Sequence, residues 1–149
     1  MAIKGMINGS TFLKTLGFTL YYMEDGTVTG QLTLESYVEG PPAHMHGGAI
    51  ATVLDEAMGA AAHLGGYLVV AARLTFNYKR AVPLGVPIRI RAWVDRVENR
   101  KVYGASEIIL PDDTIAVVGE GLFIHAPSFF DTPAFNYGAA HDQPDAKEE

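Results

Sequence analysis

One stretch near the middle of the chain, "HGGAIATVLDEAMG", predicts a helix that is apolar or small on nearly every side. The helix begins after His46, and the sequence "LGG" ends it at about Leu64. A helix of this kind is stable only when other elements cover it. We therefore expect an α+β fold in which the rest of the chain wraps around one long central helix.

The rest of the chain predicts the elements that would cover this helix. Phe12–Leu16 is expected to form a short helical turn, and "EGPPAHMHGG" a loop, because its two prolines stop any helix. The expected strands are Phe18–Met23, Thr27–Leu34, Leu68–Tyr78, Pro87–Val97, Lys101–Leu110 and Thr114–His125. The turn "EDG" joins the first two strands as a hairpin. We expect a curved antiparallel sheet of five to six strands.

Length and composition limit the classes of protein. The 149 residues suit one domain, which we place at residues 1–125, followed by an acidic, proline-containing tail at 126–149 that is disordered or loosely packed. The absence of cysteine excludes disulfides and a cysteine nucleophile. No run approaches the roughly 18 apolar residues of a membrane helix. The chain also lacks the apolar core of a signal peptide, so we expect a cytoplasmic protein that does not bind membranes.

Two stripes of residues divide the predicted helix. At 3.6 residues per turn, large side chains share one face: Ile50, Val53, Leu54, Ala57, Met58 and Ala61. A second stripe consists of Gly48, Ala51, Asp55, Gly59 and Ala62. Asp55 is the one residue of this second stripe that is not tiny, and a half-buried carboxylate is costly unless it is paired or functional. A structural hydrogen bond and a functional role both remain open for Asp55, whereas Glu56 is expected on an exposed side.

The two glycines at the helix start indicate a possible site for a ligand oxygen. A helix N-terminus presents free N–H groups with a partial positive charge, and glycine lets an oxygen approach them closely. Such groups can stabilise an oxyanion; an ordinary loop-to-helix junction is the alternative. Gly47 and Asp55 are separated by about 12 Å along the axis, too far to act on one carbonyl. A two-fold dimer with antiparallel helices would bring them together across the interface.

Charge is unevenly distributed along the chain. The net charge is −6, but eight of the eleven lysines and arginines fall between Arg73 and Lys101, with only Asp95 and Glu98 among them. This local excess could bind a phosphorylated ligand, or it could be a set of solvated strand faces. An acidic chain with a local basic excess is poorly suited to nucleic acid. His44 and His46 have no clear third ligand, so we expect no metal site.

Several segments together are similar to a known family. "HGG" with an acid nine residues after its histidine, "NYKRAVPLG", "VDRVENRKVYGASEIIL" and "TIAVVGEGLFI" resemble the hotdog-fold acyl-CoA thioesterases of the phenylacetyl-CoA (PaaI-like) and hydroxybenzoyl-CoA type. The resemblance covers about Phe18 to His125. Among the subgroups, the chain is most similar to relatives of the human mitochondrial and cytosolic long-chain acyl-CoA thioesterases.

The resemblance implies a fold and a reaction. The fold would be a hotdog, a helix inside a curved sheet, in a homodimer that often pairs again into a tetramer. The reaction would be hydrolysis of an acyl-CoA to a free acid and CoA. The N–H of Gly47 would bind the thioester oxygen, and Asp55 of the partner subunit would act as general base or nucleophile. His46 would shape the site or contact the thioester.

Binding residues also follow from the resemblance. Gly48 would contact the substrate, and the CoA moiety would meet Tyr78, Lys79, Arg80, Arg100 and Lys101, where lysine and arginine suit phosphates. CoA is part of the substrate, so no separate cofactor is expected.

Two positions depart from the family pattern. The loop Gly40–Ala43 lacks the asparagine or glutamine of several relatives, and Ala71 stands where several carry serine or threonine. These departures leave a second hypothesis, a non-catalytic module that binds acyl-CoA. A hotdog dehydratase would need a histidine paired with the acid in its own motif, which the chain lacks.

Overall fold

The computed structural model describes residues 2–7 and 9–131. Its elements in chain order are β1 (Ile3–Ile7), α1 (Thr11–Leu16), β2 (Leu20–Met23), β3 (Val28–Leu32), a 3-10 turn (Ser36–Val38), α2 (Gly47–Leu64), β4 (Val69–Tyr78), β5 (Ile88–Glu98), β6 (Lys101–Ile109), β7 (Ile115–His125) and a second 3-10 turn (Pro127–Asp131). The strands form one antiparallel sheet in the order β1-β2-β3-β5-β6-β7-β4. The predicted α+β class, with one long helix and an antiparallel sheet, is confirmed.

The central helix α2 has the predicted bounds and the predicted buried face. All six members of its large-residue stripe are at most 3% exposed, and the helix packs chiefly against β5 and β6. The "LGG" prediction for its end is also confirmed. The backbone N–H of Gly65 donates to the carbonyl of Ala61, and Gly66 has a φ of 95°. Glycine adopts this left-handed conformation without strain, so the chain can turn back into β4.

The sheet has one strand more than the five to six that the sequence indicates. The additional strand, β1, lies at one edge and, among the described strands, pairs with β2 alone, where Ile7 lies opposite Leu20. Its side chains are exposed or half-buried, and Gly5 interrupts it. The sequence of β1 has no alternating apolar face, so no local pattern predicts a strand there. The segment is a strand because it pairs with β2.

The opposite edge of the sheet is β4, which follows α2 directly. β4 pairs with β7 along its length and, within the described residues, has no strand on its other side. A bulge at Ala72 shifts the register, since Ala71 lies opposite Phe123 and Arg73 opposite Leu122. Ala71, Ala72 and Arg73 are all exposed. A long strand of ten residues therefore leaves one row of backbone hydrogen-bonding groups unpaired.

The C-terminal tail lies mostly outside the residues that the structure describes. β7 ends at His125, and the prediction for the tail falls mostly on residues 132–149, which lie outside the described residues. The division of the chain into a domain and a tail therefore stays a prediction.

Among the helices that the structure describes, none combines the length and the apolar composition that a membrane span requires.

Candidate active site

His46 forms the N-terminal cap of α2. Its backbone is extended, with a φ of −62° and a ψ of 135°, and its side chain caps the helix. The ring Nδ1 accepts a hydrogen bond from the N–H of Gly48 at 2.9 Å. The backbone N–H of His46 donates to the carbonyl of Val38 at 2.7 Å, which ties the cap to the preceding loop. The predicted role of His46 in shaping the site therefore has a physical basis in capping.

The backbone around Gly47 is held on both sides. The carbonyl of His46 accepts the N–H of Ile50 at 3.0 Å, and the carbonyl of Gly47 accepts the hydroxyl of Tyr78 at 2.8 Å. The N–H of Gly47 has no hydrogen-bond partner among the described residues. A fixed N–H donor that is left free is the arrangement needed to bind an oxyanion.

The loop before the helix contributes Gly40, a residue for which the sequence alone predicts no role at the site. A Cβ on Gly40 would lie 2.7 Å from the Cα of His46, which is shorter than any real contact between such atoms. Only glycine therefore lets this loop pass against the helix start. Nearby, Ala43 has a φ of 63°, a strained conformation for alanine. The sequence signal was present as a glycine before two prolines, but the contact itself is tertiary.

Asp55 lies two turns further along α2, on the wall of a groove of about 870 Å³. This groove, called the Asp55 groove below, has Asp55, Gly59 and His63 on one side and β1, α1 and β2 on the other. Burial, and then the charge of Glu56, raise the pKa of the Asp55 carboxyl above 3.8. Within the described residues, the carboxyl makes neither a hydrogen bond nor an ion pair. The alternative that Asp55 is a structural hydrogen-bond acceptor is therefore not supported.

The neighbouring carboxylate, Glu56, is in a different situation. The helical pattern predicts Glu56 on an exposed side of α2, but the residue is half-buried. The hydroxyl of Ser10 donates to Glu56 Oε1 at 2.6 Å, and the same hydroxyl accepts the N–H of Leu13 as the cap of α1. The expectation is wrong because Ser10, the cap of α1, reaches this side of α2 and binds the carboxylate. Glu56 therefore accepts a hydrogen bond, whereas Asp55 accepts none from the residues that the structure describes.

The strand after the helix places Ala71 in the same groove as Asp55. The family resemblance places a serine or threonine of several relatives at this position, and the residue does lie near the acid. Alanine supplies no hydroxyl there, so water or substrate near Asp55 has one potential partner fewer. Gly47 and Asp55 lie eight residues apart on one helix, about 12 Å along its axis. One subunit therefore does not bring the two groups to a single carbonyl.

The predicted CoA-binding residues form two separate groups. Tyr78, Lys79 and Arg80 lie where β4 ends beside the start of α2, and Tyr78 pairs opposite Val117 of β7. Arg100 and Lys101 lie at the other end of β7, where Lys101 pairs opposite Ile124. Val117 and Ile124 are seven positions apart, so at about 3.3 Å per residue they are separated by roughly 23 Å. The structure does not bring the two groups together within one subunit.

The basic stretch between Arg73 and Lys101 is not one phosphate site. Arg80 bonds Asp112 at 3.2 Å and Thr114 at 2.6 Å. Arg89, Arg91 and Arg96 form ion pairs with carboxylates on the turns and the outer face of the sheet: Asp113, Glu107, and both Asp95 and Glu98. Half of the eight cations are therefore paired. In the described part of the chain, Arg73, Lys79, Arg100 and Lys101 have no ion pair.

The two histidines before the helix take part in backbone contacts. His44 Nδ1 lies 2.9 Å from the carbonyl of Pro42, and His46 Nδ1 caps the helix. The described residues contain no group of three or more histidine or carboxylate side chains that could hold a metal ion.

Comparison with known proteins places this architecture in a family. Residues 43–117, about half of the chain, match the thioesterase superfamily. The acyl-coenzyme A thioesterase THEM4 of Xenopus laevis is 44% identical over 80 residues, which are 53% of this chain and 36% of that protein. The match to this relative thus spans little more than a third of its length.

Solved structures agree with this assignment. The crystal structure of a thioesterase superfamily protein is 36% identical with a TM-score of 0.70, covering 72% of this chain and 53% of that one. The PaaI protein from the phenylacetic acid degradation operon of E. coli is 20% identical with a TM-score of 0.72, covering 78% and 85%; at this identity the likeness concerns the fold. With its apolar helix inside one antiparallel sheet and its match over residues 43–117, the chain belongs to the thioesterase superfamily and has the hotdog fold.

Proposed function

We propose that the protein hydrolyses an acyl-CoA thioester to a free acid and CoA. The observation that carries this proposal is the Asp55 carboxyl, which is half-buried on the groove wall, has a raised pKa and has no partner in the described residues. A carboxylate kept in this state at a cost in stability is suited to take a proton from water. The name of the Xenopus laevis relative, an acyl-coenzyme A thioesterase, supports the same substrate class.

A homodimer would complete the site. The unpaired edge of β4 suits antiparallel pairing with β4 of a second copy. The Val69 end of one β4 would then lie beside the Tyr78 end of the other. This arrangement would direct Asp55 of the partner subunit towards Gly47. It would also bring Arg100 and Lys101 of the partner subunit close to Tyr78 and Lys79. The two groups of candidate CoA-binding residues would then lie in one site.

The mechanism follows from these placements. The N–H of Gly47 donates to the thioester oxygen and stabilises the negative charge that develops on it. The Asp55 carboxylate of the partner subunit accepts a proton from water, whose oxygen attacks the carbonyl carbon. The C–S bond then breaks, and the CoA sulfur leaves with the proton. Direct attack by the carboxylate, giving an anhydride that water then hydrolyses, is the other route. Lys79 and the basic residues of both subunits would hold the CoA phosphates, and no further cofactor takes part.

The experiment is a thiol-release assay on short, medium, long and aryl acyl-CoAs with wild type, Asp55→Asn and Glu56→Gln. We expect Asp55→Asn to lose at least about a hundredfold in kcat/KM, about 2.7 kcal/mol of transition-state stabilisation. Glu56→Gln is the matched control, because it removes the adjacent carboxylate, and it should lose less than tenfold. Light scattering measures the assembly, in which a dimer of dimers would have four times the mass of the chain.

The result that contradicts the proposal is specific. If wild type releases no thiol from any ester yet binds CoA esters by calorimetry, the non-catalytic binding module replaces the enzyme. If Asp55→Asn and Glu56→Gln lose activity equally, Asp55 has no special role in the reaction.

A further inference from the structure

Gly59 occupies a position of α2 where the fold does not require glycine. It lies in the helix interior, one turn after Asp55, and it lines the Asp55 groove. Its φ is not in the left-handed region, and a Cβ built on it would meet no atom within 4 Å. Glycine in a helix interior costs roughly 1 kcal/mol relative to alanine. The chain therefore carries a destabilising residue at a position where alanine would fit.

The space above Gly59 is part of a groove that is mostly apolar, with a few charged side chains in its lining. Its floor is formed by Leu20 and Phe123, which are at most 2% exposed. Leu13 of α1 and Met6 of β1 line the opposite side. This opposite side comes from a segment that precedes the residues 43–117 matched by the superfamily. The N-terminal segment of this chain thus shapes the groove.

The groove and the Asp55 carboxyl have a defined spatial relation. Residues four apart on a helix lie on the same face, about 6 Å apart along the axis. The groove extends from Asp55 towards Gly59, so an acyl group whose thioester carbonyl lies at Asp55 would place its next few carbon atoms over Gly59. Any side chain at position 59 larger than hydrogen would project into that space.

We propose that the Asp55 groove receives the apolar acyl group of the thioester, and that Gly59 keeps open the part of the groove that holds its first carbons. This inference rests on the proposed function, since it takes Asp55 as the group that acts at the thioester. It identifies Gly59 as a specificity-determining residue and Met6 as a contact for the more distant part of the acyl group.

The test is a series of variants assayed on a series of substrates. Gly59→Ala, Gly59→Val and Gly59→Leu are compared with wild type on acetyl-, hexanoyl- and dodecanoyl-CoA by thiol release. We expect Gly59→Leu to lose at least tenfold more kcat/KM on hexanoyl- and dodecanoyl-CoA than on acetyl-CoA, with Gly59→Val in between. Gly59→Ala should melt at a higher temperature than wild type while losing activity on the longer esters.

Two further variants separate selectivity from general damage. Ala51→Leu enlarges a residue of the same small stripe that does not line the groove, and its effect should be equal on all three esters. Met6→Ala removes an exposed side chain from the edge strand β1, so folding should be unaffected. This variant should lose activity only on dodecanoyl-CoA.

The outcomes that overturn the inference differ from those that overturn the proposed function. If Gly59→Leu keeps the wild-type preference among the esters, the acyl group does not lie over Gly59. If Gly59→Leu loses all esters equally and light scattering shows a smaller assembly, a second copy of the chain covers Gly59 instead. If wild type hydrolyses no ester, the proposed function fails. The affinities of wild type and Gly59→Leu for the same three esters then test the groove, with the same selective loss expected in binding.

Discussion

Removing the Tyr78 hydroxyl should reduce turnover by loosening the backbone at the start of α2. In Tyr78→Phe, the carbonyl of Gly47 loses the 2.8 Å hydrogen bond from the Tyr78 hydroxyl, while the aromatic ring is kept. Burial raises the pKa of Tyr78 above 10.0, so the hydroxyl is a donor throughout the neutral range. The Gly47–Gly48 peptide would then be held only by the backbone hydrogen bonds of α2 and by the cap from His46, and the neighbouring N–H of Gly47 would be less well oriented.

The magnitude follows from the kind of bond and from its exposure. A neutral hydrogen bond contributes about 0.5–1.5 kcal/mol, and Tyr78 is 51% exposed, so water can partly replace the hydroxyl. We expect kcat for the best acyl-CoA to fall by about 2- to 10-fold. KM should change less than kcat, because the lost bond orients a group that acts mainly on the transition state.

Tyr37→Phe is the matched control for this prediction. The Tyr37 hydroxyl also donates to a backbone carbonyl, that of Leu16, at 3.0 Å, and Tyr37 is 60% exposed. Both variants should lower the melting temperature by a similar small amount, but only Tyr78→Phe should lower kcat. If Tyr78→Phe raises KM with kcat unchanged, Tyr78 contacts CoA, as the family resemblance implies, and the reasoning about the peptide is refuted.

Two further predictions concern pH and backbone strain. The pKa of Asp55 is raised above 3.8, so the folded protein binds this proton more tightly than the unfolded chain, and its stability falls as pH rises from 3.8 through the raised value. Thermal melts should show Asp55→Asn to be more stable than wild type at pH 7 but not below pH 3.8. The acidic limb of the pH profile of kcat/KM for wild type should have its midpoint above pH 3.8. A stability difference between the two proteins that does not change with pH would contradict this prediction. Ala43→Gly relieves a φ of 63° and should stabilise the fold by about 1 kcal/mol, which raises the melting temperature by roughly 3 °C; an unchanged or lower melting temperature would show that the loop stores no strain.

Much of the fold could be predicted because it follows from local patterns. Helix α2 and strands β2 to β7 were all expected, with bounds within about two residues, which is the usual uncertainty of an element boundary. In β5, Ile88 and Ile90 are buried and Arg89 and Arg91 are exposed, which is the two-residue period typical of a half-buried strand. β1 could not be predicted, because an exposed edge strand depends on its partner for its conformation.

The site was predictable to the extent that it lies along one helix. The positions of Gly47 and Asp55 follow from helical geometry, since their separation and faces are properties of a single element. The burial and the hydrogen bonds of the neighbouring side chains do not follow from helical geometry. Glu56 was expected to be solvated, but Ser10, which is 46 residues distant in sequence, binds it.

Sequence separation therefore decides which features the sequence predicts and which only the tertiary structure determines. Periodicity, capping and turn residues act over a few positions, and they specified the helix, the strands and the place of an acid behind two glycines. Contacts between distant segments decided which arginines are neutralised by Asp112 and Asp113, and why Gly40 must be glycine beneath His46. They also decided that open space lies over Gly59, because the far wall of that space belongs to β1 and α1. Such contacts form only when the sheet closes around α2, and no local pattern carries them.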